Sequence, residues 1–81
     1  MSKIYYAVVK FEHYKDKKDV YEVLRVEEVE RGVSSCMQRY HCVSIDILAK
    51  MLLELKSKGH FELRNMGLDD KEFEILKRMV G

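Results

Sequence analysis

Between Ser44 and Gly59 the chain reads SIDILAKMLLELKSKG, an amphipathic helix with both ends marked and more apolar surface than a single sheet can cover. Ser44 suits the N-cap, because its hydroxyl can accept from one of the first unpaired backbone N–H groups, and Asp46 in the first turn opposes the positive end of the dipole. Lys56 and Lys58 fall in the last turn, and Gly59 stands where a left-handed residue stops a helix. Ile45, Leu48, Leu52 and Leu55 recur at three- and four-residue spacing as one stripe. Ile47 and Met51 lie beside that stripe, and Ala49 and Leu53 widen it. Only Asp46, Lys50, Glu54 and Ser57 make a continuous polar line. A helix lying on one sheet needs an apolar arc a little over about 100° wide. This helix has more, so a second element or a second molecule must cover another of its sides.

The stretches before it read as strands. Residues 3–14, KIYYAVVKFEHY, are dense in β-branched and aromatic side chains. Tyr5, Ala7, Val9 and Phe11 form one apolar face, and Ile4, Tyr6 and Val8 begin the other before it turns polar at Lys10 and Glu12. A strand apolar on both faces for half its length is interior to a sheet or covered on both sides. After a charged tip, KDKKD at 15–19, the run VYEVLRVEEVER from Val20 to Arg31 offers two readings. Asp19 with Glu22 resembles a capping box and Gly32 a helix stop, but Val20, Tyr21, Val23, Leu24, Val26 and Val29 scatter around a helical wheel. The periodicity therefore favours a second strand, antiparallel to the first. CMQRYHCV at 36–43 is a third strand leading into the helix.

After Gly59, HFELR at 60–64 is either a short fourth strand or a helical turn. The last element is better marked: Leu68 as hydrophobic staple to Phe73, Asp69 as N-cap, Glu72 at the third position, and Phe73, Leu76, Met79 and Val80 as the buried face. These predict a second helix over 70–80, a natural cover for part of the first. The expected fold is α+β, a small single domain spanning 1–81: a three- or four-stranded, mainly antiparallel sheet with two helices packed on one face, in the order βββα(β)α. A helical 60–66 would instead make residues 44–80 resemble a helix-turn-helix. Its presumed recognition helix sets Lys71, Lys77 and Arg78 against Asp69, Asp70, Glu72 and Glu74, a poor match to phosphates.

Charge narrows the function classes. Fifteen basic and fourteen acidic residues are interspersed, for a net charge of +1, which is not the footprint of a strong nucleic-acid or membrane binder. No apolar run approaches a membrane span and no signal peptide opens the chain, so the expected location is the cytoplasm. The absence of Pro, Trp and Thr, with abundant Lys, Glu and Arg, resembles the proteomes of hot-growing organisms, although five Met and two Cys point the other way.

Sites of chemistry are sparse. Cys36, Cys42, His13, His41 and His60 are the only soft metal ligands, and Cys36 and Cys42 are too widely spaced for a zinc pair. On one strand six residues span about 20 Å, against the roughly 7 Å between Cα atoms that a disulfide tolerates. His41 and Cys42 are neighbours and so point to opposite faces, which rules out a thiolate–imidazole pair. No nucleophile elbow, phosphate-binding glycine loop or metalloprotease motif is present. No enzyme activity, cofactor or metal is expected.

Two binding constellations remain. Lys15, Lys17 and Lys18 at the tip, with Tyr14 as a stacking group, can meet phosphates, although Asp16 and Asp19 leave the tip only weakly positive. If 36–43 is an exposed edge strand, two copies can pair about a two-fold axis through Arg39, placing Cys36 opposite Cys42, Met37 opposite His41 and Gln38 opposite Tyr40. The expected function is a small non-catalytic interaction protein, a homodimeric accessory regulator or inhibitor of the kind viruses carry, acting on a protein partner. The alternative is a weak, salt-sensitive nucleic-acid binder using Lys15, Lys17, Lys18, Arg39 and Arg25 from the sheet face; His41 is a further candidate binding residue.

Overall fold

The structure is a computed structural model that describes residues 3–29 and 34–81. Its elements run β1 (Lys3–Glu12), β2 (Asp19–Glu28), β3 (Ser34–Cys42), α1 (Ile45–Lys56), β4 (Leu63–Asn65) and α2 (Asp70–Val80). The strands make one four-stranded sheet in the order β3-β2-β1-β4. β1 with β2 and β2 with β3 are antiparallel, whereas β4 runs parallel to β1. The parallel pairing follows from the connection: α1 crosses one face of the sheet and carries the chain from the β3 edge to the β4 edge. The expected α+β architecture is therefore present, with residues 63–65 as the fourth strand. The helix-turn-helix alternative does not form.

The sheet fixes which side chains share a face. Tyr6, Val8, Tyr21, Val23 and Cys42 point toward the helices, where they join Leu48, Ala49, Leu52, Leu55, Leu68, Leu76 and Val80 in the main core. Leu48, Leu52, Leu76, Val8 and Val23 are completely enclosed. Tyr5, Ala7 and Val26, with Leu24 against them, make a smaller cluster on the other face, which no helix covers.

Local signals explain the helix ends. The Ser44 hydroxyl accepts the Ile47 N–H at 3.3 Å, and the Asp69 carboxylate accepts the Glu72 N–H at 2.7 Å. Gly59 stops α1 at φ +133°, a conformation that side chains disfavour. The side chain of Glu72 does not fold back on its own helix as a capping box would. It reaches the sheet instead, accepting from the Tyr21 hydroxyl at 2.8 Å and from Lys10 Nζ at 3.0 Å, and so ties the start of α2 to β1 and β2.

One helix-face expectation is corrected: Met79 does not lie on the buried face of α2 but is 38% exposed, because the helix turns Leu76 and Val80 inward and Phe73 only halfway. α2 covers part of the second side of α1, and Ile47 and Leu53 stay exposed.

Candidate functional site

The edge strand β3 and the uncovered face beside it bring together more of the predicted binding residues than any other part of the molecule. Among the described residues β3 is paired along one side only, with β2. Its register slips between Arg25 and Val26: Gln38 lies opposite Arg25 and Cys36 opposite Val26, so Met37 is the extra residue of a bulge. A bulge reverses the alternation of side chains from that point on. Cys36 consequently falls on the uncovered side and is exposed, whereas Cys42 lies in the main core. Burial pushes the Cys42 thiol above its ordinary pKa, so it is held protonated. The expected facing of Cys36 on Cys42 across a two-fold axis at Arg39 does not follow, because cross-strand partners must share a face. The spacing that suggested it counted Met37 as an ordinary ladder residue.

Beyond the bulge the strand is regular. Arg39 pairs with Leu24 and His41 with Glu22, which places both on the uncovered face. Gln38 and Tyr40 lie on the helix side, and the Tyr40 hydroxyl donates to Gln38 Oε1 at 2.7 Å. His41 Nδ1 stands 3.4 Å from Glu22 Oε2. Glu22 is the one buried charged residue among those described, at 6% exposure. Its sequence neighbourhood gave only a capping-box reading, and the strand register reveals the His41 pairing.

Across the uncovered face the apolar residues form a band, Val26 and Tyr5, Leu24 and Ala7, then Val9 and Phe11, with cross-strand pairs setting the rows. The middle of the band is closed by charge. Arg64 of β4 lies over the Tyr5 ring, 3.9 Å from its centroid. Its Nε donates to Glu62 at 2.6 Å, its other arm reaches Glu28 at 3.5 Å, and Lys3 approaches Glu62 at 3.2 Å. Arg64 first, and Lys3 after it, hold the Glu62 carboxyl below its ordinary pKa. The end of the band is open: Phe11 is 42% exposed. Arg64 escaped the sequence reading because its ring partner is 59 residues away, although its place two residues after Glu62 put the two on one strand face.

The lysine tip lies apart from Arg39. His13 N–H donates to the Lys18 carbonyl at 2.8 Å and Lys17 N–H to the His13 carbonyl at 2.9 Å, closing a turn in which Lys17 takes a left-handed φ of 60°. Asp16 accepts from the Lys18 N–H at 3.1 Å. Tyr14 stands out from this turn, stacked on His13, with Lys15 Nζ 5.7 Å from its ring centre. Arg25 points to the helix side, opposite to Arg39, so the two arginines do not share a surface.

Among the described residues no group of three His, Cys, Asp or Glu side chains is arranged to hold a metal, and no helix is long and apolar enough to cross a membrane. Comparison of the chain with protein-family models, curated proteins and solved structures finds no match.

Proposed function

We propose that this is a small non-catalytic interaction protein that acts by protein–protein contact as a homodimer, in the manner of an accessory regulator or inhibitor. The observation that carries this reading is β3, a nine-residue strand whose outer edge is unpaired among the described residues, beside an uncovered, partly apolar sheet face. Unpaired strand edges are templates for a further strand, and main-chain hydrogen bonds supply the affinity. The bulge at Met37 blunts one half of the edge and leaves Gln38 to Cys42 as the regular half. A two-fold axis through Tyr40 then sets Arg39 against His41 of the second copy, and Tyr40 against its own equivalent.

The test is the solution molar mass by light scattering, in reductant and at moderate salt. A mass twice the chain's 9.6 kDa supports the reading. A monomer at every concentration, with no protein retained on the immobilised chain, contradicts it.

A weak nucleic-acid contact at the lysine tip is the second reading. One observation favours it: the Tyr14 ring, stacked on His13 and beside Lys15, is 73% exposed and offers a stacking surface. Affinity for single-stranded DNA would then fall steeply with salt, whereas a strand-pairing interface would hold.

A further inference from the structure

On the helix side of the sheet, past the end of α1, lies an open cleft of about 420 Å³, one wall of which, Gln38 and Tyr40, comes from the β3 strand. Ile4, Tyr6 and Leu55 supply its apolar lining, and Arg25, Gln38, Tyr40, Lys58 and His60 its polar lining. We propose that this cleft binds a phosphomonoester carried on a flat ring, a ligand of mononucleotide size.

Four features select that chemistry. The first is size: the volume lies in the range of small-molecule sites and exceeds what a bare inorganic anion fills. The second is the sign of the lining. Three lining residues, Arg25, Lys58 and His60, are basic, no carboxylate lines the cleft, and none of the three forms an ion pair among the described residues. Arg25 is half-buried between Tyr6 and Gln38, its uncharged cross-strand neighbours, and an arginine fork suits the oxygens of a phosphate.

The third is the state of the neutral groups. Tyr40 donates its hydroxyl proton to Gln38 Oε1, which leaves the Gln38 amide N–H groups for an acceptor-rich ligand. Tyr6 is fixed by stacking on Phe61, with ring centres 5.5 Å apart, so the lining is preorganised and apolar where a ring would rest. The fourth removes an objection. The C-terminal end of a helix repels anions, but the carbonyls of Leu53, Leu55 and Lys56 are taken by the N–H groups of Ser57, Lys58 and Gly59.

The same chemistry is offered by a free nucleotide and by the 5′-phosphorylated end of a single strand. Isothermal titration of the full chain with adenosine monophosphate, adenosine, inorganic phosphate and a 5′-phosphorylated trinucleotide separates them. Saturable binding of the monophosphate, at least about tenfold tighter than either adenosine or phosphate, is the expected result, the value of one charge-assisted contact. Arg25→Gln and Lys58→Gln, the latter at an exposed position, should each weaken it by about tenfold or more, with unchanged thermal melting. Binding by the trinucleotide alone assigns the ligand to a strand end. No binding of either at millimolar concentration, phosphate binding as tightly as the nucleotide, or indifference to both substitutions overturns the proposal.

Discussion

Val8 and Ala7 are neighbours on β1, both completely buried, and the means of burial differ. Val8 faces α1 and α2 and is enclosed by leucines; Ala7 faces the side with no helix and is shielded within a small cluster beside Arg64, Tyr5 and Leu24. On the first face stability comes from apolar area removed from water, which is non-directional and additive over many side chains. On the second, a guanidinium laid on a ring and held by two carboxylates does the closing, and it covers only the middle of the sheet. The centre of the helix face is thus packed within one chain. The other face is protected at its centre and open at Phe11 and along β3.

Breaking each side should have consequences of different size. Leu52→Ala empties a completely enclosed position between helix and sheet and should cost about 2–5 kcal/mol in urea unfolding. A loss below about 1 kcal/mol would mean that α1 is not the core helix. Tyr21→Phe removes the hydroxyl that Glu72 accepts and should cost about 1 kcal/mol.

The Tyr21 link also sets an alkaline limit. Burial first, and then the Glu72 bond, raise the Tyr21 pKa above 10.0, and the Glu72 bond raises that of Lys10 above 10.5. Both groups favour the folded state while protonated. Their contribution is whole below those ordinary values and is lost as pH rises through the folded ones. Urea midpoints should fall above about pH 10, and Glu72→Gln should flatten that fall.

On the uncovered face the effects shrink. Arg64→Ala should lower stability less than Leu52→Ala and should erase part of the acid limb. Glu62 has a depressed pKa, so its contribution is present above 4.5 and lost as pH falls through the folded value. A midpoint between pH 3 and 5 that is identical in wild type and variant, at roughly those values, would show that the Arg64 cluster contributes nothing. Smallest of all in stability, Phe11→Ser should stay within about 0.5 kcal/mol of wild type. If the open face is a contact surface, the same change should weaken protein capture on the immobilised chain.

What the sequence shows of the two faces follows the same division. Ser44 and Asp69 announce helix starts, and the three- and four-residue spacing of Leu48, Leu52 and Leu55 announces the covered face, because both signals are local and periodic. The fourth strand was harder to read: three residues of parallel pairing leave little periodic trace, and Leu63–Asn65 depends on β1 for its hydrogen bonds. The bulge at Met37 was not legible, since CMQRYHCV carries no glycine or other marker of an added residue. That one residue decides the face of Cys36. The pairs Arg64–Tyr5, His41–Glu22 and Glu72–Tyr21 join residues far apart in the chain, so they appear only once the strands are in register.

The central claim is that the regular half of β3 pairs with a second copy. Amide hydrogen exchange over residues 38–42, measured at increasing protein concentration, tests it most directly. The account predicts slowing of those β3 amides with concentration, while the amides of β4 at the opposite edge do not change. Exchange in residues 38–42 that is independent of concentration, up to the highest at which the chain stays in solution, would contradict it.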